Sequence, residues 1–471
     1  MALLAIELND AGLRLARAGE DGEPVVESEA SPGFALLHEG RVHVGIEAAR
    51  RHRIAPLHAQ NRFWHALGLE PLPWSARGMA TVADLAHAHL ATVLAGAARE
   101  GGHELLLAVP GGYTREQLGL LVGIANECGV VTRGLVDAAL AAVATVPPSS
   151  CMLHLDLQLH QASATLIEGS RHQGTLRRAR YDTLPGVGQL ALHQAMASTV
   201  ATIFVRETRF DPLHLAETEQ RLHDSLPGWL HTLATADETT AELEFGATVY
   251  RIQLTRAHIV DAVQVLVNEV LRLVQTARPP GALMHLCYTP RIGAIPELVA
   301  RLAGLRDCVV VELAQGAAAV GALKSAAAIM RPADAMALVH RLPLADAILR
   351  DDESAAPSMA VPADVVPTHV LFNGRAWPIT AVPLTLGWSA GAAPRALTLP
   401  AGIAGVSRAH CTLARDGEGQ SVVSDQSTYG TFVNDERVGG RVALRVGDVL
   451  RLGSPGVLLE LIRVLPDHGA A

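Results

Sequence analysis

Short apolar runs alternate with turn residues from the start of the chain. Leu3–Leu8 and Leu13–Gly19 flank Asn9-Asp10-Ala11-Gly12, a pattern that predicts two strands around a turn. Residues 34–39 and 41–45 predict two more strands. Residues 81–100 carry apolar side chains at helical spacing, and residues 104–110 form a continuous apolar run ended by Pro110, as a buried strand does. A helix stopped by Gly129 (115–129), a strand (130–136) and a small-residue helix (137–145) follow. After Pro147-Pro148 the series starts again, with a hairpin-like pair over 151–158 and 162–169 and a largely helical stretch to residue 235. A strand pair (243–253) then leads into a long amphipathic helix over 254–277 with Thr255 as its N-cap. A strand (282–288), a helix (294–304), a strand (308–313) and a small-residue helix (314–329) complete the set. A hairpin-and-helix set thus occurs twice, from residue 1 and from residue 151, as a repeat of pattern without sequence identity.

The pattern changes near residues 331–368. This stretch collects Pro, Ala and Ser around the acidic run Asp351-Asp352-Glu353-Ser354 and reads as a solvated linker. Residues 367–465 are short apolar runs separated by turn residues throughout, the pattern of an all-β domain.

Composition narrows the function classes. Hydrophobic residues make up 49% and charged residues 18%, which excludes a mainly disordered chain. Aromatics are only 4%, so Ala, Leu and Val build the core. The net charge of −9 argues against a nucleic-acid-binding protein. Lys324 is the single lysine, so any mechanism that needs one has one candidate, and no phosphate-loop G-x-x-x-x-G-K-[ST] is present. Five widely spaced cysteines without C-x-x-C exclude a disulfide framework and a cysteine-rich zinc site. The 21 histidines show no H-E-x-x-H spacing and read as packing or surface residues. Glu7 and Asp10 interrupt the first apolar run too early for a signal peptide, and no apolar run reaches the ~20 residues of a membrane span, so a cytoplasmic location is expected.

Several segments of residues 1–327 follow one another in a familiar order. Leu3–Ala16 stands where a first phosphate loop reads I-D-L-G-T-T-N-S, and Arg41–His52 stands at a V-G-x-x-A-x-R segment. Leu105–Thr145 follows a V-P-A-x-F strand, a helix, a turn and E-P-x-A-A-A. Met152–Glu168 stands at a second phosphate loop, Leu286–Leu302 at G-G-S-x-R-I-P, and Ala314–Leu323 at a closing small-residue helix. This order resembles the actin-like ATPase superfamily, and within it the DnaK-type nucleotide-binding domain. The resemblance implies a two-lobed α/β fold that binds ATP or ADP with Mg²⁺. It aligns Glu7, Asp137 and Asp156 with the family's acidic metal-shell positions and Arg291 with its adenosine segment. Three carboxylates are chemically suited to hold hydrated Mg²⁺. The loops depart from the family. Asn9, Asp10 and Ala11 replace Gly-Thr-Thr, Gln158, Leu159 and His160 replace three glycines, and Cys287-Tyr288 replaces Gly-Gly. Each change adds bulk where backbone N–H groups approach phosphate. The family's catalytic lysine is missing near Phe63–Leu69. A pseudo-ATPase is the expected reading, and the alternative is an active ATP-dependent switch.

Gly405-Val406-Ser407-Arg408-Ala409-His410, then Ser424 to Asn434 containing Gly430-Thr431-Phe432-Val433-Asn434, then Leu444 to Gly453 form a spaced motif set. It resembles the forkhead-associated domain, a β-sandwich that binds phosphothreonine peptides on loops at one end. The resemblance carries phosphopeptide contacts to Ser407, Arg408, Thr428, Tyr429 and Asn434, with His410 as a structural brace. Hydroxyl and cationic donors suit a dianionic phosphate. Two positions depart: Trp388 stands where the family has a peptide-contacting arginine, and Tyr429 where it has asparagine. Arg395 is a candidate replacement for the missing cation.

The expected organisation is an actin-like, DnaK-like α/β domain (1–328), a linker (329–366) and an all-β forkhead-associated sandwich (367–465). The expected role is a signalling scaffold of bacterial type that recruits a Ser/Thr-phosphorylated protein, with no nucleic-acid partner.

Overall fold

The computed structural model describes residues 3–19, 22–26, 29–76, 78–95, 103–170, 174–279, 283–332, 336–344, 366–372, 375–400, 403, 405–433, 436–446, 448–453 and 456–464. The chain divides into two compact units, Met1–Asp351 and Asp352–Ala471.

The first unit is built on two six-stranded sheets with one shared plan. In the first sheet, Leu3–Glu7, Arg14–Ala18 and Pro24–Val26 form an antiparallel meander. Glu104–Val109 and then Val131–Asp137 add parallel strands on the free side of Leu3–Glu7. In the second sheet, Cys151–Leu157, Gln161–Ser170 and Thr175–Pro185 form the meander. Met284–Tyr288 and Cys308–Glu312 add the parallel strands. The repeat of pattern in the sequence is therefore a repeat of strand order.

Several strands are absent from the sequence reading, among them Pro24–Val26, the pair Pro71–Ala76 and Met79–Thr81, and Thr175–Pro185. Thr175–Pro185 is a strand whose run of arginines leaves much of it partly exposed, so it shows no clean apolar alternation. The expected linker also begins late. Leu338–Val339 pairs with the outer strand of the first sheet, and Arg341–Pro343 pairs with Thr175–Pro185 of the second. Residues 338–343 thus belong to the first unit, with Leu342 fully buried, while residues 345–365 of the expected linker lie outside the described residues.

The helices follow local signals. Arg115–Glu127 starts in a capping box made by Thr114 and Gln117, and Arg256–Ala277 starts in one made by Thr255 and His258. Between the two sheets lie the small-residue helices Ala138–Val143 and Ala317–Lys324, packed with Ala5, Leu106, Val136, Met152 and Ile167. Their alanines permit a close approach. A Cβ added at Gly321 would stand 1.8 Å from the Ala141 carbonyl oxygen. This explains how so few aromatics suffice, because small side chains fill the space that a short interhelical distance leaves.

A buried polar knot fixes the margin of the first sheet. Trp64 Nε1 donates to His89 Nδ1 (2.8 Å), and the Nε2 of the same ring lies 2.7 Å from Ser31 Oγ. With Nδ1 accepting, Nε2 carries the proton and donates to Ser31. His89 is fully buried, and burial pushes its pKa down to about 3, so it is neutral at ordinary pH.

The second unit is a sandwich of two sheets. One orders Arg375–Pro378, His369–Phe372, Val457–Ile462, Val449–Leu452, Thr431–Val433 and Glu436–Arg437. The other orders Ala396–Thr398, Leu384–Gly387, Cys411–Arg415, Ser421–Asp425 and Arg441–Ala443. Val370, Leu386, Leu413, Val423 and Leu450 meet in its core. No helix among the described residues is long and apolar enough to cross a membrane.

Gly321→Ala is expected to destabilise the first unit by about 1–3 kcal/mol, because an interhelical contact must open. Gly119→Ala, on an exposed helical position with open space around it, is expected to gain about 0.5–1 kcal/mol. Urea unfolding of the two variants checks both signs.

Candidate functional site

In the first unit the expected site residues converge where the two sheets face each other. Glu7 ends Leu3–Glu7, Asp137 ends Val131–Asp137, and Asp156 lies next to the end of Cys151–Leu157. Arg291 follows the second-sheet strand Met284–Tyr288, on the short helix Pro290–Gly293. The arginine turns inward, and its Nη2 donates to Glu7 Oε1 (2.9 Å) and to Asp156 Oδ1 (3.1 Å). A second arginine, Arg178 on Thr175–Pro185, donates from Nη1 to Asp137 Oδ2 (2.7 Å) and to the Gly111 carbonyl (3.0 Å).

All six oxygens of the three carboxylates already accept hydrogen bonds. Glu7 Oε2 accepts from the Ala318 N–H (3.3 Å), and Asp137 Oδ1 caps the helix Ala138–Val143 through the Leu140 N–H (3.1 Å). Asp156 Oδ1 also accepts from Thr289 Oγ1 (2.7 Å) and the Leu157 N–H (2.8 Å), and its Oδ2 accepts from Asn9 Nδ2 (2.8 Å). Burial alone would raise the Asp156 carboxyl. The Arg291 guanidinium, His154 and the hydrogen bonds outweigh it and hold Asp156 below the usual carboxylate range. Burial likewise disfavours the charge on Arg291, but Asp156 and Glu7 raise its pKa.

The expectation of a magnesium shell on Glu7, Asp137 and Asp156 meets carboxylates that are each paired with an arginine. Each carboxylate faces a guanidinium where the shell needs a metal, and among the described residues no three His, Cys, Asp or Glu side chains are grouped to hold one. Hydrated Mg²⁺ requires oxygen ligands and is repelled by fixed cations beside them. The residues present do not fit Mg²⁺-nucleotide.

The turns that stand at the phosphate-loop positions are filled by each other's side chains. Asp10 Oδ1 accepts from the Leu159 N–H (2.7 Å), and Asn9 Nδ2 also donates to the Leu157 carbonyl (3.3 Å). Asn9 closes its own turn by accepting from the Ala11 N–H (2.8 Å). The Tyr181 ring lies against Gly111 and Gly112, where an added Cβ would stand 2.9 Å from ring carbons. Cys287 is fully buried, and the Tyr288 hydroxyl donates to Glu312 Oε2 (3.3 Å). Phe63 and Trp64, near the position that lacks the lysine, are core residues. The sequence reading missed Arg178 and Tyr181. Their only signal was the pair Gly111-Gly112, where the compared segment has V-P-A-x-F.

In the second unit, Ser407, Arg408 and Thr428 lie on neighbouring loops. The Thr428 N–H donates to Ser407 Oγ (3.3 Å), and Arg408, Thr428 and Tyr429 are exposed. Beneath them His410 is fully buried. Its Nδ1 accepts from the Ser407 N–H (3.0 Å), and its Nε2 donates to the Gly430 carbonyl (3.0 Å). One neutral imidazole thus joins both loops, and burial lowers its pKa and keeps it neutral. Asp425 Oδ1 accepts from Thr431 Oγ1 (2.7 Å) and the Ser427 N–H (3.0 Å), which sets the second loop. Gly430 adopts φ 84°, a left-handed conformation that favours glycine.

The strand end at Gly387 is held against the first loop. The N–H groups of Trp388 and Ser389 donate to the Ser407 (3.3 Å) and Arg408 (3.0 Å) carbonyls. A Cβ at Gly387 would stand 2.1 Å from the Arg408 carbonyl oxygen, so only glycine fits there. Trp388 is 40% exposed beside these loops and Tyr429 is 60% exposed. Arg395 does not replace the missing cation. It donates to the Val382 (2.9 Å) and Pro378 carbonyls and to Thr380, and it precedes the residue paired with Thr385, at the far end of the strand from Gly387. Asn434 lies outside the described residues. Gly387-Trp388-Ser389-Ala390-Gly391 also has the G-x-S-x-G spacing of a hydrolase nucleophile. Here it runs from a sandwich strand into a 3₁₀ turn (Ala390–Ala392) and lacks the strand–turn–helix context of that chemistry.

Arg291→Met is expected to cost about 3–5 kcal/mol at pH 7, because it strands two buried carboxylates. In the wild type Asp156 is depressed, so its contribution is complete above the unfolded value of about 4 and is lost as pH falls below it. The variant lacks that contribution, so urea midpoints of the two proteins are expected to converge as pH is lowered through this range.

Among known protein families, residues 391–453 match the model described as FHA domain. No curated protein matches the chain. The match covers much less than half of the chain and assigns that segment alone: residues 391–453 are a forkhead-associated domain, a class of module that binds phosphoproteins.

Proposed function

We propose that the protein is an interaction scaffold whose forkhead-associated domain recruits a threonine-phosphorylated partner. In this reading a DnaK-like, actin-like unit that has lost its nucleotide chemistry serves as the platform. The observation that carries the first half is the loop pair braced by His410, which presents the Ser407 and Thr428 hydroxyls and the Arg408 guanidinium together at the surface. A phosphate dianion would take charge-assisted hydrogen bonds from these groups. Trp388 and Tyr429 add apolar area beside them, which suits a peptide whose neighbouring side chains are apolar or aromatic.

The platform reading is supported by the shared strand order of the two sheets in the first unit, one meander and two parallel strands each. The pseudo-ATPase reading is supported by the two arginines. Arg291 and Arg178 come from the second sheet's half and bind carboxylates of the first, so internal ion pairs link the lobes where a metal-nucleotide would link them.

The test is a phosphothreonine peptide library and its unphosphorylated counterpart, offered to the full chain. Selective retention of phosphorylated peptides is expected, with affinity falling roughly 10- to 100-fold in Ser407→Ala and Arg408→Ala, the range of one lost charge-assisted bond. Equal retention of both libraries would contradict the phosphopeptide reading.

A further inference from the structure

Beside the arginine-filled centre, the first unit holds a cavity of about 220 Å³ lined by Asp10, Trp64, Tyr113, Gln158, Gln161 and Tyr181, among others. Asp10 is 5% exposed. One of its oxygens accepts from the Leu159 N–H, while its buried Oδ2 finds no hydrogen-bond partner among the described residues. A buried carboxylate oxygen without a donor is costly, and native structures rarely leave one.

The rings around it are held in place before anything binds. Trp64 is pinned by its hydrogen bond to His89. The Tyr113 hydroxyl donates to the Trp64 carbonyl (2.6 Å). Tyr181 is seated against Gly111 and Gly112. Among the described residues no arginine or lysine lines the cavity. Among the described residues the remaining ionisable lining group besides the tyrosines is His65, whose pKa burial lowers, which disfavours its cationic form beside Asp10.

From this geometry we propose that the cavity is a binding site for a small organic cation, a primary amine or guanidine, whose N–H groups reach Asp10 and whose charge faces the aromatic rings. A carboxylate with aromatic neighbours is the chemistry that recognises such a group. A divalent metal is disfavoured, since Asp10 is the one carboxylate in the lining among the described residues and hard cations take several oxygens. An anion is repelled by the same carboxylate. The site is preorganised, so little ordering opposes binding. Burial pushes the Asp10 carboxyl up to about 6; the Leu159 N–H partly offsets it, Asp156 raises it further, and the more distant Arg291 charge and the Ala11 N–H lower it. At neutral pH it is therefore largely ionised and gains from a cation.

The experiment is calorimetry and thermal unfolding of the full chain with putrescine and agmatine, and with glutarate as an anion of similar size. At least one amine is expected to bind with Kd below ~1 mM and to raise the unfolding midpoint, while glutarate does neither. Asp10→Asn keeps an acceptor for the Leu159 N–H. It is expected to raise the midpoint of the free protein and to weaken amine binding at least about tenfold. Tyr181→Leu carries the test by a second route, with an expected loss of about threefold or more. The proposal is overturned if neither amine binds up to ~10 mM, if glutarate binds as well, or if affinity is unchanged in both variants. None of these outcomes bears on the phosphopeptide loops of the second unit.

Discussion

The Arg291 guanidinium joins two carboxylates that belong to different sheets. Glu7 ends a strand of the first sheet, Asp156 lies in the second, and the arginine that holds both is 284 residues from Glu7 in sequence. Burying three charges together is tolerable only when each is fully engaged, and here each is. Removing any one strands the others. The same rule explains the second pair, since Asp137 is fully buried and Arg178 satisfies it from the opposite sheet. Two ion pairs and the Asn9 and Asp10 hydrogen bonds thus cross the line between the halves at four points.

That cross-linking decides what the centre of the unit can do. A metal-nucleotide site needs glycine turns that let backbone N–H groups approach phosphate, and carboxylates free to hold the metal's water. Here side chains from one turn fill the other, and the cations are part of the chain. The carboxylates of Glu7, Asp137 and Asp156 are thereby neutralised from within the chain. A separate cavity beside this centre is lined by Tyr181 and Asp10, and it offers a carboxylate where a phosphate site offers N–H donors.

Much of the scaffold was legible from local pattern. The hairpin around Asn9-Asp10-Ala11-Gly12, the buried run ending at Pro110 and the Thr255 cap are dictated within a few residues, and each appears in the fold. The motif around Ser407 and His410 was legible because a glycine, two hydroxyls and an imidazole must stand at fixed offsets to build two loops. What local pattern does not encode is partner choice across the chain. Arg178 sits in an arginine-rich strand with no clean apolar alternation, and nothing near Arg291 in sequence points to Glu7, 284 residues away. Residues 338–343 are too short to show a strand period, and only the open edges of two sheets make them strands. Arg395 reads as a spare cation near Gly387, but strand pairing puts it at the other end.

The proposed reading of the first unit is that internal guanidinium groups occupy the place that a metal-nucleotide would take. Calorimetry of the full chain with Mg²⁺ and ATP, then ADP, tests it most directly. The account predicts no binding heat up to ~1 mM nucleotide. Micromolar affinity, lost in Asp156→Ala, would contradict it, because nucleotide would then have to displace Arg291 from both of its carboxylates.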